Sequence, residues 1–219
     1  MRLIDIQHNY DTIFSLGDRC LTANKLRHFK LRPYAGIVDW MLTPKLSKIV
    51  DLLQNRCDKF MNEATMVCDG YNNLIIGHLL LRDTLYDVTS VHDFPIEKNT
   101  PENWETYSEF KTKLDRRIQR FFNKLETCSI ILFVRIGGTY EEARRLEEVL
   151  SKIVVGKFRV LILNEIPNRR LIEYDWGLQY TCSIGIPIEQ RECNELWNMI
   201  LNNITCNDVI EDYIDFLDD

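Results

Sequence analysis

The chain has 219 residues, 45% hydrophobic and 27% charged, with 27 Lys and Arg against 33 Asp and Glu. That is the composition of a globular protein with one sizeable core rather than a disordered or low-complexity chain. The net charge of −6 excludes the basic stripe of a nucleic-acid binder. No apolar run approaches the roughly 20 residues of a membrane helix, and the start, Met1-Arg2-Leu3-Ile4-Asp5-Ile6, lacks a signal-peptide core. A cytoplasmic protein that engages neither nucleic acid nor membrane is expected.

The cysteines are Cys20, Cys57, Cys68, Cys128, Cys182, Cys193 and Cys206. Their odd number and the lack of a C-x-x-C pair argue against a disulfide framework or a zinc knuckle. Most read as small buried hydrophobes in a reducing compartment. There is no H-x-H or H-E-x-x-H pattern, so no metal and no cofactor is expected.

In chain order, Thr12 to Leu16 reads as a short buried strand. Gly17 turns the chain, and a helix starts at Asp18 or Arg19 and ends before Arg32-Pro33. Gly36 to Trp40 reads as a second strand. Thr43-Pro44 reads as a helix start, with Thr as N-cap and Pro in the first turn, and the helix runs to about Asp58. Leu74 to Leu81 is apolar but short and reads as a strand or hairpin. Tyr86 to Val91 is a strand ending at His92-Asp93-Phe94-Pro95.

The second half is more regular. Trp104 to Leu125 is a long amphipathic helix, with Arg117 at the edge of its apolar face and Arg116 and Arg120 farther out on a solvated flank. Ile130 to Val134 is a buried strand. Gly137-Gly138 turns the chain, and Thr139-x-x-Glu142 is a capping box opening a helix to about Ile153. Phe158 to Leu163 is the next strand, which completes a βαβ unit. Cys182 to Ile188 is a further strand, and Glu192–Asn203 and Asp208–Leu217 are helices.

This alternation predicts an α/β fold: a mostly parallel sheet with helices on both faces, a Rossmann-like three-layer arrangement. Residues 1–207 form one domain. Residues 208–219 form an acidic amphipathic helix packed on it, with a homodimer contact as the other use of that helix. The functional edge of such a sheet is the C-terminal end of its strands. Asp18-Arg19-Cys20, Asp39, His92-Asp93, Arg135 and Asn164-Glu165 all fall at predicted strand ends.

Cys20 is the candidate nucleophile, because a thiol on the first turn of a helix lies in a partly positive field that eases its ionisation. His92 is the candidate base, with Asp93 or Asp39 to orient it. Gly17, Asp18, Arg19 and Trp40 flank these groups as candidate substrate-binding residues. Arg135 with Gly137 and Gly138 reads as a cation beside free amides, suited to a phosphate or carboxylate.

At these residues the chain resembles a papain-like cysteine peptidase family of unknown function. The matching stretches are Ser15-Leu16-Gly17-Asp18-Arg19-Cys20 with Ala23 and Leu26-Arg27, then Leu31-Arg32, Val38-Asp39-Trp40, His92-Asp93-Phe94, Arg116 to Phe121 and Leu132-Phe133-Val134-Arg135. The resemblance implies Cys20 as nucleophile, His92 as base and Asp93 or Asp39 as third member. It also implies an alternative fold, papain-like α+β, with the cysteine on a helix and the histidine on an antiparallel sheet. More weakly, the strand followed by Gly17-Asp18 is similar to the opening block of GDSL-type esterases. There the nucleophilic serine follows Gly-Asp, where this chain has Arg19.

The expected function is a thiol-dependent hydrolase or acyltransferase of the cysteine-peptidase type, acting on a small molecule or a peptide. The alternatives are a transferase or binding module that holds a phosphorylated or nucleotide-linked ligand at the strand edge, and a GDSL-like esterase.

Overall fold

The computed structural model describes residues 1–73, 76–167, 170–188 and 194–208. The chain begins with helix α1 (Leu3–Ile6), strands β1 (Asn9–Tyr10) and β2 (Thr12–Ser15), helix α2 (Cys20–His28), strand β3 (Met41–Leu42) and helix α3 (Leu46–Gln54). Strands β4 (Met66–Tyr71), β5 (Leu79–Asp83) and β6 (Val88–Ser90) follow, then the short pair β7 (Asn99–Thr100) and β8 (Asn103–Trp104) and the long helix α4 (Tyr107–Thr127). The last part is β9 (Ile130–Ile136), α5 (Tyr140–Ile153), β10 (Lys157–Glu165), β11 (Ile172–Tyr174), β12 (Thr181–Ile186), α6 (Asn194–Leu201) and β13 (Thr205–Cys206).

The central sheet has the order β11-β12-β10-β9-β2. Strands β12, β10, β9 and β2 run parallel, and β11 closes one edge antiparallel. Its inner strands read as continuous apolar runs because both faces are covered. Phe14, Ile131, Phe133, Val160 and Ile162 pack on one side against residues of α3, α4 and α5, including Ile49, Phe121 and Leu146. Their neighbours Ile13, Leu132, Val134, Leu161 and Leu163 pack on the other side against Leu26 of α2, Ile6 of α1 and Trp197 and Ile200 of α6. The β9–α5–β10 unit is formed as its pattern requires. The Thr139 hydroxyl accepts from the Glu142 amide, and the Glu142 carboxylate accepts from the Thr139 amide.

The expectation of one mostly parallel sheet needs correction. The fold is mixed α/β with several sheets, and a separate antiparallel sheet, β3-β6-β5-β4, joins the core on the α3–α5 side. Its strands β5 and β6 alternate between buried and half-buried residues, the signature of a sheet with one face on the core. Of the apolar run from Leu74 to Leu81, the end, Leu79 to Leu81, lies in β5 of this sheet, and residues 74–75 lie outside the described residues.

Two local expectations also change. Residues 36–40 form a turn rather than a strand, because the Asp39 carboxylate bonds back to the Gly36 amide at 2.8 Å. Helix α3 starts at Leu46 after Lys45, not at Thr43. The Thr43 hydroxyl is engaged elsewhere, donating to the Asp18 carbonyl at 3.0 Å and accepting from Arg135 Nη1 at 2.6 Å. The expected helix after Asp208 lies, from residue 209 on, outside the described residues. Among the described residues no helix is long and apolar enough to cross a membrane.

Candidate active site

Leu16 continues the line of β2, its amide donating to the Val134 carbonyl at 2.8 Å. The chain then turns at Gly17, whose φ is +92°. A Cβ there would lie 2.0 Å from Thr43 Oγ1 and 2.7 Å from Arg135 Nη1, so no other residue fits. The Gly17 carbonyl accepts from the Ile136 amide and from the Thr22 hydroxyl, and the Asp18 carbonyl accepts from the Thr43 amide. This clamps the loop on three sides. Arg19, extended at φ −143°, is then the N-cap, and Cys20 is the first residue of α2.

The imidazole arrives from the antiparallel sheet. His92 follows β6, and its Nε2 lies 3.4 Å from Cys20 Sγ, across 72 residues of sequence. The Trp40 indole meets the His92 ring edge-on at 5.7 Å between centroids. The Arg32 guanidinium covers that indole at 5.2 Å. Asp39 holds Arg32 through a 2.6 Å ion pair in which both side chains are buried. Asp39 therefore does not hold the imidazole directly; it anchors Arg32, which covers Trp40, which abuts His92.

Asp93 accepts a short hydrogen bond from the Ser90 hydroxyl. Burial pushes its carboxyl above the usual carboxylate range, against the opposing pull of Ser90, Arg117, His92 and Lys113. The Cys20 thiol is also pushed up, first by burial and then by the negative charges of Asp39 and Asp93, with its own backbone N–H acting the other way. The direction is opposite to the eased ionisation expected of a helix start, with burial as the largest cause.

Two cavities flank the pair. One, of about 400 Å³, is lined by Cys20, Leu21, Leu42, Leu80 and Val91, with Arg19 and Asn72 among the polar residues around it. The other, of about 200 Å³, is lined by His92 and Asp93 with Lys98, Glu109 and Lys113.

Other predicted site residues have different positions. Arg135 is 1% exposed, and its guanidinium donates to the carbonyls of Leu16, Thr43 and Gly137 and to the Thr43 hydroxyl. Burial lowers its pKa to about 10. The Gly137 amide donates to the Leu163 carbonyl, and the Gly138 amide to Asn164 Oδ1. A Cβ on Gly138 would meet Leu46 at 2.8 Å. The expected anion cradle is thus a structural joint: its amides and cation are satisfied by protein groups. Glu165 likewise accepts from the Ile188 amide. The idea that these groups converge on one parallel-sheet edge fails because His92 and Asp93 follow β6 of the second sheet.

Sequence reasoning gave two residues little weight. Arg117, placed at the edge of the apolar face, is buried, and its positive charge acts on Asp93. His78, in an isolated bridge with Pro95, has its ring 6.3 Å from the His92 ring. Arg117 at the edge of an apolar stripe was the available signal; His78 gave none.

A cysteine on the first residue of a helix, 3.4 Å from a histidine that follows an antiparallel strand, is consistent with the papain-like arrangement. A family model described as "Putative papain-like cysteine peptidase (DUF1796)" matches residues 11–166. The chain belongs to this family. No curated protein and no solved structure matches it.

Proposed function

We propose that the chain is a thiol-dependent hydrolase or acyltransferase, with Cys20 as nucleophile and His92 as general base. The observation that carries this reading is the 3.4 Å contact between Cys20 Sγ and His92 Nε2 at the start of α2. Nucleophile and base must lie within such reach, and apo geometry is often looser than that of the reacting complex.

In this reading His92 Nε2 takes the thiol proton as Sγ attacks a carbonyl carbon. The oxyanion meets the first-turn N–H groups of α2, which lack intrahelical acceptors. His92 then returns the proton to the leaving group. Water, or an acceptor molecule, resolves the thioester and regenerates the thiol. Asp93 supplies negative charge next to the imidazolium that forms in between. Asp39 acts through Arg32 and Trp40 as a positioning residue.

The test is alkylation with iodoacetamide, mapped by mass spectrometry. Cys20 should react fastest at neutral pH, ahead of Cys68, Cys128 and Cys206, which are also partly exposed. Buried Cys57 and Cys182, pushed up to about 12, should stay inert. His92→Ala should slow Cys20 alkylation by about 10²-fold or more. Equal rates at Cys20, Cys68, Cys128 and Cys206, unchanged by His92→Ala, would remove the reading.

A further inference from the structure

We infer that the 400 Å³ cavity beside Cys20 binds an aliphatic acyl chain, so that the carbonyl attacked by the thiol belongs to an acyl ester or thioester. This rests on the reading of Cys20 and His92 as a catalytic pair.

The sheet register identifies the cavity wall. Leu42 on β3 pairs with Thr89 on β6, and Thr89 pairs with Arg82 on β5. These three side chains share the face of the sheet turned away from the core, and alternation puts Leu80 on the same face. Thr89 and Arg82 are what an outward face should carry. Leu42 and Leu80 are not; both are only partly buried, and both line the cavity with Leu21 of α2 and Val91. The outward face thus becomes aliphatic where it meets the thiol. Apolar surface left in water is unfavourable by roughly 25 cal/mol per Å², and a ligand that covers it recovers that energy. The volume is within the range of about 300–1,000 Å³ typical of small-molecule sites.

The two cavities also assign the halves of the substrate. The leaving group takes its proton from His92 and must lie on the His92 side. The cavity there carries Lys98, Glu109 and Lys113, a polar lining. The cavity with the aliphatic wall, which Arg19, Asn72 and Asn73 also border, contains Cys20 but not His92. It is therefore on the acyl side, where the group bonded to Sγ after attack must sit. The step balances: the Sγ–C bond forms, the C–O or C–S bond to the leaving group breaks, and the thiol proton passes through His92 to the departing atom.

The test uses the p-nitrophenyl esters of acetate, butyrate, hexanoate and octanoate, with the nitrophenol burst and the mass of the acylated protein as readouts. Acylation of Cys20 should speed up with chain length, by up to roughly fourfold per added methylene. Leu80→Asn should flatten that dependence; Leu42→Asn, with its melting curve checked, provides the same test on another strand. Acetate reacting as fast as octanoate, while iodoacetamide still labels Cys20 in a His92-dependent way, would overturn the acyl chain and leave the catalytic pair standing. Failure of both reagents at Cys20 would overturn both. Cleavage of coumarin-amide peptides with no chain-length preference among the esters would overturn the acyl chain in favour of a peptide.

Discussion

The Trp40 indole stands edge-on to the His92 imidazole, with 78° between the planes. Trp40 itself sits at φ +67°, a conformation that a bulky residue holds only when its surroundings impose it. The indole should therefore report the presence of its neighbour. Its fluorescence, taken as the difference between the parent and Trp40→Phe, should change when His92→Ala is made in both. An unchanged difference would show that the two rings do not meet in solution.

Alkylation of Cys20 should follow two different pH profiles. A raised thiol pKa means little thiolate at neutral pH, so without a base the rate climbs only on the alkaline side. His92→Ala should show that late climb, reaching its half-maximum above the ordinary thiol range. With His92 present the neutral-pH rate should be much higher. Coincident profiles would mean that the imidazole does not receive the proton.

Arg135→Lys should damage the fold rather than abolish a ligand site. Lysine cannot satisfy Leu16, Thr43 and Gly137 together as the guanidinium does. Loss of these buried charged hydrogen bonds should cost roughly 2–4 kcal/mol, a melting temperature lower by roughly 5–10 °C. Because Gly17 packs on the same guanidinium, Cys20 alkylation should slow in parallel. An unchanged melting temperature would contradict the structural role.

Asp93→Asn should separate stability from reactivity. A carboxyl with a raised folded-state pKa stabilises the fold below its unfolded value and loses that contribution as pH rises through the folded one. Asparagine does not ionise, so the melting temperature of Asp93→Asn minus that of the parent should increase as the pH rises above the ordinary carboxylate range of about 4. Cys20 alkylation at neutral pH should slow in Asp93→Asn, because the imidazolium loses a nearby negative charge. A flat or falling difference would show that Asp93 is not destabilised by burial.

The parts legible in the sequence are those whose cause is local. The Thr139–Glu142 capping box and the apolar strands around it specify β9–α5–β10 without help from distant residues. Gly17 before Cys20 likewise marks a turn into a helix. The parts that were hidden have distant causes. Thr43 looks like an N-cap until Asp18 and Arg135 claim its hydroxyl. Arg117 looks like the edge of an apolar stripe until the fold buries it, where its charge acts on Asp93 from another element. The four residues that make the aliphatic wall come from α2, β3, β5 and the end of β6, so no stretch of sequence contains the cavity.

The distance along the chain from Cys20 to His92 has a consequence during synthesis. The thiol emerges from the ribosome well before its imidazole partner. In the proposed reading it gains its base only after the antiparallel sheet has folded and docked. Until then the nascent chain carries a thiol without its imidazole partner. By the same logic, a variant that loosens the docking of the two sheets should lose reactivity while its parallel sheet is still intact.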